Sequence, residues 1–322
     1  MKPERVKKIL HGFESKKICV IGDAMLDRYV FGDITRISPE APVPVVLASK
    51  EAVTVGGAGN VAANVSALGG AVSLVSVTGK DRGSQDLLAH FARLRVDPSG
   101  VLRLANRPTT EKMRIVARGQ QIVRVDRELQ DYIDTKIEIK LLNFLRRRFH
   151  EFDGFVISDY AKGVITEMLA HEIIALAKRY KKIVIGDPKP QHAKWLKGAT
   201  LVAPNEMEAL AIGGASNVLE AGKKIQNLLK CDVLVTRGAR GMTLFSGSRN
   251  THFPTRTKDV YDVIGAGDTV MAALSLALTS GATLKEAVVI ANHSAGVVVG
   301  KTGTATLSIA ELKENLSNKA EV

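Results

Sequence analysis

Short apolar runs, rich in β-branched residues, alternate with longer amphipathic segments along the chain from Lys17 onward. The short runs predict buried strands, and the segments between them predict helices. This alternation is typical of βαβ units, which build an α/β fold with a central, mainly parallel sheet covered by helices on both faces. The predicted strands are 18–21, 72–77, 154–158, 183–186, 201–203 and 233–236, and the predicted helices are 59–68, 84–94, 136–150, 166–179, 206–212, 221–229, 267–280 and 284–299.

Two stretches interrupt this alternation and predict strands outside the main sheet. Residues 28–55 carry Pro39, Pro42 and Pro44 among alternating valines, and proline is tolerated in edge strands rather than in central ones. Residues 110–127 contain a predicted hairpin, in which apolar and charged residues alternate on both sides of a turn. We expect the two segments to form a small β-sheet lid over the carboxyl edge of the main sheet, where open α/β sheets bind ligands.

Length and composition indicate one globular unit. The chain has 322 residues, of which 45% are hydrophobic, which predicts a single domain over residues 1–322 with the lid as an appendage. Apolar runs are far shorter than a membrane span, and residues 1–12 lack the apolar segment of a signal peptide. We therefore expect a cytoplasmic protein with no membrane partner.

Charge and cysteine content exclude some functions. The formal net charge is +12, but the basic residues are dispersed and aromatic residues make up only 5%, which disfavours nucleic-acid binding. A basic surface also suits small anionic substrates. Cys19 and Cys231 each lie in an apolar run, which predicts free buried thiols rather than a disulfide or a metal pair.

The stretch Asp262-Val-Ile-Gly-Ala-Gly-Asp268, directly before a long apolar helix, carries the strongest chemical signal. At Gly265, Ala266 and Gly267, consecutive backbone N–H groups can point at one spot at the positive end of the helix dipole, where an anion is stabilised. We interpret this stretch as a phosphate cradle. Asp268 could simply complement the dipole, but a carboxylate beside a bound phosphate is placed to accept a proton.

A glycine pair opens the helix that follows the first lid segment. The pattern 57–62 mimics a dinucleotide fingerprint, but the run before it carries prolines and polar residues where a Rossmann strand should be apolar. An NAD-dependent oxidoreductase is therefore the disfavoured alternative. We expect instead that Gly56 and Gly57 let a polyol approach the backbone, and that Asn60 donates to and accepts from sugar hydroxyls.

Two acids follow the first predicted strand. A carboxylate at that place can accept hydrogen bonds from two neighbouring hydroxyls. Asp23 is credibly explained as a turn acid that caps local backbone, whereas Asp27 precedes the apolar residues Tyr29, Val30 and Phe31 of the lid. We favour Asp27 as a sugar ligand.

Later segments offer a metal site and a nucleotide site. Asn205 begins a predicted helix after a strand and suits an N-cap, while Glu208 could hold magnesium, which usually binds one or two carboxylates together with phosphate oxygens. The glycines of 236–241 suit either a hairpin turn or close approach to a nucleotide. Residues 296–302 look like a P-loop but are one residue short and follow a helix, so we interpret them as a false match.

These motifs, in this order, resemble the PfkB/ribokinase family of sugar kinases over nearly the whole chain. The resemblance implies a ribokinase-like fold, ATP, Mg²⁺ and a monovalent cation such as K⁺. It implies that Asp268 is the catalytic base and that Gly265, Ala266 and Gly267 form the anion hole. It also implies that Asn205 and Glu208 form the family's N-x-x-E magnesium and phosphate motif, and that Asp262 belongs to a monovalent-cation site. The residues implied to line the nucleotide are Thr236, Gly238, Gly241 and Asn292.

Within the family, residues 22–33, 36–46, 159–163 and 187–189 resemble the heptose-7-phosphate kinase branch. That branch uses ATP to phosphorylate the anomeric hydroxyl of D-glycero-β-D-manno-heptose 7-phosphate, a step towards ADP-heptose and the lipopolysaccharide core. Many members carry a fused adenylyltransferase with an H-x-G-H motif, which this sequence lacks, so we expect a stand-alone kinase or a piece of a longer chain. A kinase for another sugar or a nucleoside is the nearest alternative.

Three further expectations follow from this resemblance. A phosphorylated sugar needs a fixed cation, for which the candidates are Lys112, Arg114, Arg118, Lys162 and Lys189. Val263 and Ile264 stand where the family often has threonine, so side-chain contacts there are weakened while the backbone donors remain. The lid prolines indicate an exposed edge that a second subunit could cover, which predicts a homodimer through the lid.

Overall fold

The computed structural model describes residues 1–255, 264–301 and 305–317. In these residues the strands are β1 Lys17–Gly22, β2 Ala24–Ile37, β3 Pro44–Gly57, β4 Ala71–Gly79, β5 Asp97–Leu104, β6 Thr110–Ala117, β7 Gln120–Arg127, β8 Gly154–Ser158, β9 Ile183–Asp187, β10 Leu201–Val202, β11 Asp232–Thr236, β12 Met242–Ser246 and β13 Arg249–Phe253. The α-helices are α1 Pro3–Gly12, α2 Ala58–Ala67, α3 Arg82–Arg93, α4 Thr135–Arg148, α5 Glu167–Tyr180, α6 Glu206–Gly213, α7 Val218–Leu229, α8 Ala266–Thr279, α9 Leu284–Val298 and α10 Ile309–Ser317.

The main sheet has the strand order β13-β12-β11-β10-β9-β8-β1-β4-β5. Its strands pair in parallel from β11 to β5, whereas β12 pairs antiparallel with β11 and β13 antiparallel with β12. Side chains alternate between the two faces, so Ile18 and Val20 pack with α1, α2, α8, α9 and α10, while Cys19 and Ile21 pack with α4, α5 and α7. The prediction of a mainly parallel sheet between two helical layers is confirmed.

The elements that the apolar pattern did not predict lie at the margins of this sheet. Helix α1 buries only Ile9 and Leu10, and β5 is an edge strand that contains Pro98 and Gly100. Short apolar stretches of this kind lack the periodicity that predicts an element. In the described part of the chain, no helix is long and apolar enough to cross a membrane.

The second sheet has the order β3-β2-β6-β7 and contains both predicted lid segments, so we call these four strands the lid. Strand β2 begins two residues after β1 ends, and β3 ends immediately before α2. The lid therefore leaves from and returns to the carboxyl edge of the main sheet. The prolines follow the expected rule, since Pro39 and Pro42 lie between β2 and β3, and Pro44 is the first residue of the edge strand β3.

Candidate active site

Three neighbouring strands end in register at the edge from which the lid departs. Gly22 of β1 pairs with Ser158 of β8, and Ser158 pairs with Asp187 of β9. On its other side β1 pairs with β4. The chain therefore adds β4 and β5 on one side of β1, and β8 to β11 on the other. A crevice forms at such a switch point in open α/β sheets. The chain places Asp23, Asp159 and Asp187 at this edge.

Asp268 lies in the first turn of α8 and is only 4% exposed. Its Oδ2 accepts a hydrogen bond from Asn60 Nδ2 at 2.7 Å, and its Oδ1 accepts one from the Tyr160 hydroxyl at 2.8 Å. Burial raises the pKa of Asp268 to about 6, against the opposing effect of these two donors. The carboxylate is therefore mostly ionised at neutral pH and retains an appreciable affinity for a proton.

The backbone before Asp268 suits an anion. Gly265 has φ of 80°, in the left-handed region that favours glycine. A Cβ added at Gly267 would meet no atom within 4 Å among the described residues, so a ligand has room to approach the first N–H groups of α8. The predicted phosphate cradle thus fits a phosphate group. Asp262 and Val263 lie outside the described residues.

The glycine pair before α2 makes room for two carboxyl-bearing residues. A Cβ at Gly56 would come within 2.3 Å of Asp27 Oδ2, and a Cβ at Gly57 within 2.3 Å of the Asp23 carbonyl oxygen. Asp27 is nearly buried and forms an ion pair with Arg114 of β6 at 2.5 Å. Of the predicted sugar ligands, Asp27 therefore lies against Gly56, while Asn60 follows the glycine pair in α2 and contacts Asp268.

The cations proposed to hold a sugar phosphate are already paired. Lys162 Nζ lies 2.7 Å from Glu128, and Lys189 Nζ lies 2.6 Å from Glu208. Lys112 contacts two acids at longer distances, 3.6 Å to Asp126 and 3.8 Å to Glu128, and Arg118 donates to the carbonyl oxygen of Ile34. An incoming phosphate would have to compete with these carboxylates for the cations.

Asn205 and Glu208 form a complete capping box at the start of α6. The Asn205 side chain accepts from the Glu208 N–H at 2.9 Å, and Glu208 Oε2 accepts from the Asn205 N–H at 3.0 Å. The neighbouring acid Glu206 pairs with Arg237 and Arg240. The capping box thus accounts for Glu208 and the two arginines account for Glu206, and the Lys189 pair occupies the remaining oxygen of Glu208.

Asp187 is a candidate metal ligand that the sequence pattern did not single out. Its partly exposed carboxylate has no hydrogen-bond or ion-pair partner in the described part of the chain. Loss of solvation raises its pKa well above the usual range, and the nearby carboxylates Glu208, Asp268 and Asp159 act in the same direction. A divalent cation at this place would relieve that repulsion, so the residues fit one. Within the described ranges, no three His, Cys, Asp or Glu side chains cluster tightly enough to hold a metal, so phosphate oxygens or water would complete its shell.

The predicted nucleotide residues lie at the end of β11 and on α9. Thr236 bridges to Asn205 and its N–H donates to the Pro204 carbonyl. Gly238 starts a short turn with φ of 54°, and a Cβ at Gly241 would collide with the Phe253 carbonyl oxygen at 2.0 Å. Gly241 is thus required because the β11–β12 turn packs closely against the end of β13.

Asn292, the remaining residue predicted to line the nucleotide, lies on α9 and is nearly buried. Its side-chain amide donates to the Pro254 carbonyl oxygen at 2.8 Å, which ties α9 to the segment after β13.

Sequence reasoning missed Tyr160 and took Asp23 for a local cap. Asp23 is 1% exposed and accepts hydrogen bonds from the backbone N–H groups of Tyr160, Lys162 and Val164. Those residues lie well over a hundred positions away, at the end of β8. The only available signal was the position of an acid and of a D-Y-A-K-G run after two apolar strands.

The fold and this site define a sugar-kinase type of enzyme, with a crevice beside a lid, a buried carboxylate and a helix start that suits an anion. Solved structures with this fold include ribokinase from Thermotoga maritima, at 24% identity and TM-score 0.73, which aligns with 94% of this chain and 100% of its own. Phosphofructokinase-2 from Escherichia coli, in complex with potassium, matches at 18% identity and TM-score 0.78 over 95% of this chain and 99% of its own.

Residues 15–311 match the pfkB family of carbohydrate kinases, and the chain belongs to that family. It is also 45% identical over 300 residues to a Geobacter metallireducens protein named bifunctional protein HldE, and 42% identical over 304 residues to its Geobacter sulfurreducens namesake. These alignments cover 91% and 92% of this chain but only 61% and 62% of the relatives. The chain is therefore a carbohydrate kinase, and family membership implies ATP and a divalent metal. The hydride-transfer alternative has no support.

Proposed function

We propose that the protein uses ATP to phosphorylate the anomeric hydroxyl of D-glycero-β-D-manno-heptose 7-phosphate, giving the 1,7-bisphosphate for ADP-heptose and lipopolysaccharide core synthesis. The observation that carries the proposal is the buried Asp268 carboxylate, held by two neutral donors beside an anion-binding helix start. The basic side chains around the crevice suit a substrate that carries its own phosphate. The similarity to proteins named bifunctional protein HldE supports the heptose branch.

In the proposed reaction, Asp268 accepts the proton of the sugar hydroxyl as its oxygen attacks phosphorus. The N–H groups of Gly265, Ala266 and Gly267 hold the charge that develops on the transferred phosphoryl group. ATP, as the second substrate, supplies that group. Asp187 and Glu208 would hold a divalent cation, for which we propose Mg²⁺, and it would supply positive charge beside the phosphates. Thr236, Gly238, Gly241 and Asn292 are proposed to line the nucleotide, and Asp262 to serve a monovalent cation such as K⁺.

On the sugar side, Asp27 and Asn60 are proposed to orient the hydroxyls next to the reacting one. Asn60 also contacts Asp268 directly, so the same amide positions both the base and the substrate. Lys162, Lys189 and Arg114 are proposed to hold the 7-phosphate after exchanging their acidic partners for it. The lid excludes water, which would otherwise hydrolyse ATP.

A substrate panel tests the proposal. ADP release is followed with heptose 7-phosphate, ribose, fructose 6-phosphate and adenosine as acceptors, with Mg²⁺ present. We expect the highest kcat/KM with heptose 7-phosphate and a product that carries phosphate on C1 by ³¹P NMR. A higher kcat/KM with one of the other acceptors would assign the protein to another branch of the family.

We also propose that a second copy of the chain covers the lid. Apolar side chains are exposed on its strands and its connecting loop, with Leu47 68% and Val125 52% exposed, and both edge strands, β3 and β7, are open. Exposed apolar strands of this kind are usually covered. Light scattering should give twice the mass of one chain, and the Leu47→Asp, Val125→Asp double variant should give a single mass. A wild-type protein that remains monomeric at the highest concentration tested would contradict the dimer.

A further inference from the structure

The loop between β8 and α5 brings one side chain onto the catalytic carboxylate. The Tyr160 hydroxyl lies 2.8 Å from Asp268 Oδ1, and the two residues are 108 positions apart in the chain. The other oxygen of Asp268 is taken by Asn60. Each carboxylate oxygen can accept two hydrogen bonds, so both donors leave a lone pair for a substrate hydroxyl.

The backbone of this loop is held by a buried acid. Asp23 accepts from the N–H groups of Tyr160 at 2.8 Å, Lys162 at 3.1 Å and Val164 at 3.0 Å. Between these anchors, Ala161 has φ of 54° and Gly163 has φ of 85°. A left-handed alanine is energetically unfavourable and persists only where surrounding contacts impose it.

Further contacts hold the same loop from outside. Asp159 accepts from the Ala161 N–H at 2.8 Å and lies 2.8 Å from His192 Nδ1. Arg107 donates to the Lys162 carbonyl oxygen at 2.7 Å. The ring of Tyr160 also lies under the Lys189 ammonium, 5.4 Å from its centroid. Tyr160 therefore approaches Asp268 from a fixed direction.

We propose that Tyr160 is a positioning residue for the reaction proposed above: its hydroxyl orients the Asp268 carboxylate and keeps it in the anionic form that accepts the proton of the sugar. The inference rests on the proposed function for the identity of the reaction, and on the hydrogen bond for the role of Tyr160.

The charges around Asp268 explain why a donor matters there. Asp27 from β2 and Asp187 at the end of β9 disfavour the negative charge of ionised Asp268, whereas Lys189 favours that charge. Burial raises the pKa of Tyr160 well above its usual value, so its hydroxyl remains a donor at neutral pH. A hydrogen bond to the ionised form lowers the pKa of the acceptor. Loss of this donor would therefore raise the pKa of Asp268 above about 6.

Kinetics of Tyr160→Phe in the whole protein test the role, with Tyr180→Phe as the matched control, since Tyr180 is 47% exposed at the end of α5. We expect the acidic limb of the pH–rate profile to move up by about one unit, so that kcat falls about twofold at pH 7 and about tenfold at pH 5, and the loss to shrink above pH 8. KM for the sugar should change little. An unchanged acidic limb would overturn the proposal, and a raised KM with that limb unchanged would make Tyr160 a sugar contact instead.

A second measurement needs no substrate. In protein labelled with ¹³C at the aspartate carboxyl carbons, the Asp268 resonance is the one that disappears in Asp268→Asn, and its titration midpoint is compared in wild type and Tyr160→Phe. We expect a higher midpoint in the variant. A raised midpoint upholds the role of Tyr160 even if heptose 7-phosphate proves not to be the substrate. An unmoved midpoint overturns it even if the proposed function holds.

Discussion

The carboxylates of the lid and the carboxylate of Asp268 are held in opposite ways. Burial opposes ionisation of Asp126 on the lid strand β7 and of Glu128 directly after that strand, but neighbouring cations outweigh the effect of burial. Lys112 and Arg124 act on Asp126, and Lys162 is the cation that acts most strongly on Glu128. The pKa values of both lid acids are therefore lowered. Among the described residues, the Asp268 carboxylate accepts hydrogen bonds from the neutral donors Asn60 and Tyr160, and burial raises its pKa to about 6.

In the proposed mechanism, this difference separates carboxylates that serve as fixed charges from the carboxylate that accepts a proton. A carboxylate beside a cation binds a proton weakly and therefore serves as a fixed charge. A general base needs a proton affinity near the working pH, which requires burial without a strong ion pair. Lys189, which acts on Asp268 through its charge, pairs with Glu208 instead, so the proposed base keeps its proton affinity.

Removal of the base should have the largest effect. For Asp268→Asn we expect kcat to fall by about 10²–10⁴-fold, because the amide cannot accept the sugar proton. ATP affinity by calorimetry and the melting temperature should stay close to wild type, since the side-chain shape is kept. Near-normal turnover in a folded variant would show that another group is the base.

Breaking the ion pair between Asp27 and Arg114, on two neighbouring lid strands, should come next. Arg114→Gln leaves Asp27 buried without its cation, which typically destabilises by about 3–5 kcal/mol, and we expect about 10–100-fold lower kcat/KM, mainly through KM. The matched control is Arg124→Gln, since Arg124 pairs with Asp126 on the outer lid strand and is half exposed. Equal effects of the two changes would contradict a special role for Arg114.

The pH profile should reveal the proton affinity of the base itself. Only the ionised form of Asp268 accepts a proton, so kcat/KM should be flat above its pKa of about 6 and fall about tenfold for each pH unit below it. The lid acids, with lowered pKa values, should not contribute in this range. Rates measured from pH 5 to 8 check this, and a rate that stays flat down to pH 5 would place the base elsewhere.

An exposed ion pair should have the smallest effect. Arg146 and Glu172 pair on the surface between α4 and α5, away from the crevice. Glu172→Gln should change the free energy of unfolding by less than about 1 kcal/mol and leave kinetics unaltered. Denaturant unfolding measures the change, and a loss as large as that for Arg114→Gln would erase the distinction between the two kinds of pair.

Much of the fold was predictable because its signals are local. The predicted central strands are short, largely apolar runs, and β8 matches its predicted bounds, Gly154–Ser158. The lid was recognisable from its prolines and alternating charges. Edge elements such as β5 escaped because an edge strand with one polar face carries a weak pattern.

The site was predictable only in part. The glycines before Asp268 marked the phosphate cradle, and Asn60 was recognised as a polar residue in a glycine-rich helix start. Asn60 and Asp268 are 208 positions apart in the chain, and no local pattern predicts that they contact each other. The capping box of Glu208 is the opposite case, because it depends only on the local N-x-x-E spacing and not on contacts between distant segments.

The sequence by itself determined the secondary structure of the core, the lid segments and the carboxylate at the helix start, since these depend on side-chain periodicity, on proline and on residues adjacent in the chain. Only the tertiary structure decided which donors Asp268 meets, which cations are already paired and where the Tyr160 loop lies. Those properties depend on distances between residues from separate strands and helices, and on the burial that sets proton affinity, neither of which a linear pattern contains.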